Sequence, residues 1–133
     1  MKKIADAGLI IAALDGRDAH HHWARSVLES EPPPWFVREP VLAEVSASIG
    51  TSEPLLEMLQ IGDLELAFAL EKNTDEVLAL AKKYRDQRID LADACVIRMT
   101  ELFDDSVVYT VDKKDFSVYR RKGKRPIRCV FPG

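Results

Sequence analysis

The stretch Val107-Val108-Tyr109-Thr110-Val111-Asp112 constrains this chain more than any other. Five residues that favour extended backbone run together and empty onto a carboxylate. A short run of this kind fits a strand buried in a parallel sheet. Ligands of such sheets bind just outside the carboxyl ends of the strands, where Asp112 would stand. Lys2-Lys3-Ile4-Ala5-Asp6-Ala7-Gly8 has the same design, a first short strand over residues 3–6 that empties onto Asp6.

Between these two strands the pattern alternates. Leu9 to Leu14 reads as a compact helix closed by Asp15-Gly16, and Asp18 can cap a second from Ala19 to Ser30, with Trp23, Val27 and Leu28 at helical spacing. Pro32-Pro33-Pro34 breaks it, and Trp35-Phe36-Val37 is a short strand. A helix then starts at Glu39-Pro40, turns Val41, Leu42, Val45 and Ile49 inward and ends at Gly50; Glu53 to Gln60 gives another. Leu64 to Phe68 alternates as a third strand, and Thr74 opens a helix through Tyr84 with Val77, Leu78 and Ala81 inward. The next helix begins at Ile89-Asp90 and runs to Phe103, with Ala92, Cys95, Val96, Met99 and Leu102 toward the core. After the strand Val107 to Tyr109, Lys113 to Arg120 predicts a short helix and Pro126 to Phe131 a last strand. Short strands separated by one or two helices predict an α/β fold, a three-layer α/β/α sandwich around a short-stranded parallel sheet. Right-handed crossovers then collect the strand ends on one edge. At 133 residues the expectation is a single domain spanning 1–133.

The 47% apolar content fits a soluble protein, and no run approaches the ~18 apolar residues of a membrane span, so no membrane partner is expected. Lys2 and Lys3 ahead of an apolar stretch resemble a secretion signal, but Asp6 interrupts it and no small-residue cleavage pattern follows. Cys95 and Cys129 stand far apart in apolar surroundings and read as reduced, buried thiols of a cytoplasmic protein. The net charge of −3 hides an asymmetry: residues 1–110 hold 11 basic and 20 acidic side chains, residues 111–133 hold 8 and 2. A basic segment beside acidic metal ligands can serve a bound polyanion, or be a solvated surface.

Two more carboxylates stand out. Glu44 sits within Val41-Leu42-Ala43-Glu44-Val45, on the side of Val41, and Asp93 lies in the first turn of Asp90-Leu91-Ala92-Asp93-Ala94-Cys95. A carboxylate among core residues is costly unless paired or bound to a cation, and several converging carboxylates repel one another. A divalent ion resolves that conflict, and oxygen-only ligands select Mg²⁺ or Mn²⁺. Each also has a plainer reading: Asp6 a turn residue, Glu44 a salt-bridge partner, Asp93 a favourable charge at a helix N-terminus. Asp90 reads first as the cap of its helix, and Asp115 as a supporting group or as the cap of its own.

Taken as an ordered set, five segments resemble the PIN-domain ribonucleases, specifically the VapC-type toxins of toxin–antitoxin pairs. They are Ala5-Asp6-Ala7-Gly8-Leu9-Ile10, Asp18-Ala19-His20-His21-His22-Trp23-Ala24, Val41-Leu42-Ala43-Glu44-Val45, Asp90-Leu91-Ala92-Asp93-Ala94 and Thr110-Val111-Asp112-Lys113-Lys114-Asp115-Phe116-Ser117. The resemblance implies that Asp6, Glu44, Asp93 and Asp112 are the catalytic, metal-binding acids, with Thr110, Asp115 and Asp90 in support. It also implies an RNA substrate, a cognate antitoxin covering the acidic groove, and a homodimer. Ala7 and Ala43 depart from the family, where a hydroxyl residue is frequent at either place; that implies reduced tuning of the site.

Such a set supports hydrolysis of a phosphodiester assisted by one or two Mg²⁺ or Mn²⁺ ions. No P-loop or dinucleotide-type glycine loop is present. Lys113 and Lys114, with Arg38 at the exit of the second strand and Arg120 and Arg121 further on, are the expected RNA-binding cations, contacts that position a backbone without reading sequence. The helical run His20-His21-His22 cannot converge on one ion, because consecutive side chains point about 100° apart, so it reads as surface. Trp23, Leu28, Trp35 and Leu56 read as core or subunit contacts. Two rival classes stand beside the ribonuclease: an interaction module of the same fold that has lost catalysis, which Ala7 favours and the four carboxylates oppose, and a metal-dependent phosphatase or DNA nuclease.

Overall fold

The computed structural model describes residues 1–133. Five strands form a parallel sheet: β1 (Lys2–Ala5), β2 (Trp35–Val37), β3 (Leu64–Leu66), β4 (Ser106–Tyr109) and the late strand Cys129–Val130. Their order across the sheet is β3, β2, β1, β4, then Cys129–Val130. The chain thus winds outward from β1 in one direction, then returns to lay β4 on the other side of β1. The crevice between the carboxyl ends of β1 and β4 is the point where strand order reverses, the place where open α/β sheets bind ligands.

Residues of alternate parity feed two cores. Ala5, Trp35, Val37, Val107 and Tyr109 pack with α1 (Ala7–Leu14), α2 (His21–Ser30), α3 (Glu39–Ile49) and α4 (Glu53–Ile61). Ile4, Phe36 and Val108 pack with α5 (Thr74–Lys83) and α6 (Leu91–Leu102) on the other face. The period of two in the strands is what splits one sheet into two buried faces, giving the expected α/β/α layers. Gly50 and Gly62 close α3 and α4 at φ of 83° and 87°, a left-handed conformation that glycine adopts without steric cost. No helix is long and apolar enough to cross a membrane.

Several local expectations change. The third strand stops at Leu66, and the chain continues into a 3₁₀ turn at Leu70–Asn73. Thr74 does not cap α5; Asn73 holds that position, and the Thr74 hydroxyl donates back to the Leu70 and Glu71 carbonyls. Leu78 and Ala81 are exposed, so α5 joins the core through Val77 and Leu80, with Tyr84 just past its end, and Leu102 of α6 is exposed as well. The helix after Asp112, α7 (Lys113–Phe116), is one turn long. The basic segment that follows folds into an antiparallel pair, β5 (Arg120–Arg121) with β6 (Arg125–Pro126), leaving Cys129–Val130 as β7. His21 is half-buried and joins α1 to α2, its Nδ1 lying 2.7 Å from the Ala12 carbonyl oxygen. Cys95 and Cys129 are free thiols; burial pushes that of Cys129 up to about 12.

Gly8 sits where α1 passes the end of β4. A Cβ there would stand 2.5 Å from Cγ2 of Val111, next to Asp112. Overpacking of ~1–3 kcal/mol exceeds the ~1 kcal/mol that alanine gains in a helix. Gly8→Ala is therefore expected to lower the urea midpoint despite its better helix propensity; an unchanged or raised midpoint would show that Val111 yields freely.

Candidate metal centre

Register alone assembles the centre of the site. Ile4 pairs with Phe36 of β2 and with Val108 of β4. Two residues on, the same register brings Asp6 between Arg38 and Thr110, all pointing to one face of the sheet. The Arg38 guanidinium donates to Asp6 Oδ1 at 2.8 Å, and the Thr110 hydroxyl to Asp6 Oδ2 at 2.9 Å. Thr110 Oγ1 also accepts the Asp112 backbone N–H at 3.0 Å, fixing the turn that follows β4.

Arg38 is fully buried. Its remaining donors reach the carbonyls of Ala5 (2.9 Å) and Ala92 (3.3 Å), so one guanidinium ties β1, β2 and the start of α6 together. The expectation that Arg38 grips RNA is thus corrected: its charge is spent inside the protein on Asp6. Arg121 is corrected in the same way, whereas Arg120, half-buried and in no ion pair, folds back on its own loop. Arg120 Nη1 donates to the carbonyls of Ser117, Val118 and Tyr119. Arg121 donates to the Thr100 carbonyl and to Asp104, at the far end of α6 from the site. Of the expected cations, Lys113 and Lys114 remain exposed beside Asp112.

Asp90 caps α6, its Oδ1 accepting the Asp93 N–H at 2.7 Å. The cap sets the first turn so that Asp93 faces the sheet edge, 9% exposed. Asp112 caps α7 likewise, accepting the Asp115 N–H at 3.0 Å. That places Asp115 one turn along, beside its own cap. Oxygens of Asp93, Asp112 and Asp115 all lie within 4.8 Å of one another. Oxygens on opposite sides of an ion with ~2.0–2.6 Å bonds stand about 4–5 Å apart, so this trio suits a hard divalent cation.

Asp6 and Glu44 stand around the trio as charged neighbours. Glu44 is exposed; Val41 and Val45, both fully buried, take the inward face of α3. Glu44 therefore lies on the outer side of α3 and not among core residues as expected, although Asp6 and Asp90 still act on its carboxylate. Partial desolvation on the crevice side, with Asp6 and Asp90 nearby, raises the Glu44 carboxyl above its ordinary range. Burial, with the same two neighbours, raises Asp93 to about 7, against a hydrogen bond from Tyr119 and the charge of Arg38. Asp112 is raised by burial and by the charges of Asp115 and Asp6. These carboxylates lack a counter-charge of their own: Arg38 serves Asp6, and no other cation pairs with the trio.

Tyr119 completes the site and carried no signal in the sequence. Fully buried after α7, its hydroxyl donates to Asp93 Oδ2 at 3.0 Å, while Phe116 and Tyr84 pack on its ring. Burial and the Asp93 charge push the phenol well above its usual range, keeping it a donor. Thr110→Val removes the hydroxyl bond to Asp6 and the acceptor for Asp112 N–H. Leaving both partners short is expected to cost about 1–3 kcal/mol in chelator-containing urea melts; a change below ~0.5 kcal/mol would mean that water replaces the hydroxyl.

Beside this geometry stand the relatives of the chain. Over 126 residues it is 25% identical to Ribonuclease VapC26 of Mycobacterium tuberculosis, covering 90% of this chain and 93% of that protein. The family model described as PIN domain matches residues 3–122, from the first strand through β5, and so takes in all four of the acids singled out above. With the sheet order and the strand-end acids, that match over most of its length makes the chain a member of the PIN domain family.

Proposed function

We propose that this protein is a Mg²⁺- or Mn²⁺-dependent ribonuclease that hydrolyses RNA phosphodiester bonds, with Asp6, Glu44, Asp93 and Asp112 as its catalytic acids and Asp115 joining the metal ligands. The observation that carries this reading is the trio Asp93, Asp112 and Asp115, whose oxygens converge within 4.8 Å with no protein cation to pair them, and in which burial raises the Asp93 and Asp112 carboxyls. The relative at 25% identity is named a ribonuclease. When bound, the ion supplies a Lewis acid that polarises the phosphodiester and makes water a competent nucleophile near neutral pH.

The chain's own residues do the rest. Arg38 and Thr110 fix both oxygens of Asp6, each of which keeps further capacity to accept. Tyr119 orients Asp93 through Oδ2. Lys113 and Lys114, exposed on the first turn of α7, bind the phosphate backbone beside the trio.

The setting we propose is a single-domain cytoplasmic toxin paired with an antitoxin whose peptide covers the acidic crevice. We also propose a homodimer formed through α4, where Leu56 and Ile61 are 59% and 71% exposed. The test is cleavage of a mixed RNA pool by purified protein in Mg²⁺, in Mn²⁺ and in chelator. Cutting in either metal that stops in chelator supports the reading. Folded, antitoxin-free protein that cuts nothing in any metal would turn it toward the interaction module.

A further inference from the structure

The basic C-terminal segment, expected beside the acidic crevice, lies elsewhere. A cavity of about 480 Å³ opens near the amino-terminal end of β4 and the last turns of α6. Arg121, Arg125 and Arg128 line it with Asp104, Thr100, Ser106 and Pro126, and no aromatic side chain takes part. Asp93 and Thr100 lie seven residues apart on one helix, which puts the cavity ~10 Å or more from the acidic trio.

Its charges are unevenly spent. Asp104 is engaged by both Arg121 (2.7 Å) and Lys122 (2.8 Å). Arg121 is also tied to the Thr100 carbonyl and is 11% exposed, so it forms a fixed cationic wall. Arg128 has only Asp105 at 3.8 Å, a carboxylate shared with the N-terminal amine, and Met1 Sδ at 3.9 Å. Arg125 is exposed and enters no ion pair. Two guanidinium forks thus face the cavity with little or no counter-charge, on a chain whose first 110 residues are strongly acidic. A planar fork matches phosphate oxygens in pairs, and a lining with no aromatic ring gives bases little to stack on.

We propose that this cavity is a second, remote contact for the substrate RNA, in which Arg125 and Arg128 bind backbone phosphates away from the bond that is cut. The inference rests on the ribonuclease reading and deepens it. The contact anchors a strand long enough to reach from the crevice over the α6 side of the molecule, and adds affinity without sequence preference.

The test is binding of a mixed-sequence RNA of about 20 nucleotides, followed by anisotropy in chelator across a salt series, for the wild type, Arg125→Ala/Arg128→Ala and Arg125→Lys/Arg128→Lys. Loss of two phosphate contacts should make the slope of log K against log salt shallower by about 1.4 and weaken low-salt binding roughly tenfold. In metal, KM for the same RNA should rise with kcat unchanged. The lysine pair should keep most of the slope while losing part of the affinity, which a merely structural role would not produce. Wild type that cuts RNA while the alanine pair keeps its slope and KM overturns the remote contact alone. Wild type that neither binds nor cuts RNA overturns the ribonuclease reading and this proposal with it. Binding of polyglutamate at this cavity, lost in the alanine pair while RNA binding is unchanged, assigns it to an acidic peptide and also overturns the proposal.

Discussion

Replacing Asp93 with asparagine is expected to abolish RNA cleavage and, in chelator, to make the protein more stable. The two effects share one cause. Burial and the charges of Asp6 and Asp90 hold the Asp93 carboxyl at about 7 in the folded chain, against 3.8 for the free side chain. A raised carboxyl favours the protonated form, so its stabilising contribution is complete below about pH 4 and is lost as pH rises through about 7. Ionised Asp93 above that pH costs the metal-free fold about 2–4 kcal/mol. Asparagine keeps the shape and can still accept from the Tyr119 hydroxyl, but carries no charge to repel Asp6. The metal-free variant should therefore gain about 1–3 kcal/mol at pH 8, and its stability should lose most of its slope between pH 4 and 7. Cleavage should fall by roughly 10³-fold or more, the cost of several kcal/mol at the transition state. Urea melts at pH 4, 6 and 8 and a cleavage assay check both halves. A variant less stable than wild type at pH 8 would make Asp93 a structural residue.

Arg38→Met should produce the largest loss of stability in the molecule. Arg38 is fully buried, with its donors committed to Asp6 and to the carbonyls of Ala5 and Ala92. Methionine fills much of the same volume but leaves the buried Asp6 carboxylate with only the Thr110 hydroxyl and removes the donors to the Ala5 and Ala92 carbonyls. Breaking a buried pair from one side costs about 3–5 kcal/mol, close to the whole stability of a marginal domain. Asp6→Asn in the same chain removes the orphaned charge and should recover about half of the loss, measured as a double-mutant cycle at pH 7. Arg38→Lys should fall between, since one ammonium cannot span three elements. If Arg38→Met costs under 1 kcal/mol, water reaches Asp6 and the ion pair is not the clamp described.

The strand-end acids were legible because a β-strand has a simple period: Ile4 and Val108 in the core place Asp6 and Thr110 together once the strands are parallel. The layers were legible for the same reason, from strand alternation and helical spacing. Arg38 was not, because whether a residue after a strand points to solvent or to its neighbour depends on register, and register across β1 and β2 is a property of the pair. Asp115 joined the trio through a one-turn cap whose geometry shows only when Asp112 is seen to accept its N–H. Glu44 and Val45 differ by one helical step, so an error of 100° moves a carboxylate from core to surface. The basic segment was the hardest: a run of charges says nothing of direction, and the β5–β6 hairpin turns it away from the crevice.

The most direct test of the acidic site is Mn²⁺ binding by calorimetry at pH 6.5 in two buffers of different ionisation enthalpy. Ligation needs Asp93 deprotonated, and near this pH it is largely protonated, so binding should release on the order of half a proton or more per ion. Asp93→Asn and Asp112→Asn should each abolish binding at millimolar metal. Heats that are the same in both buffers, or Mn²⁺ bound equally by both variants, would mean that the carboxylates gathered at the ends of β1 and β4 are not a metal centre.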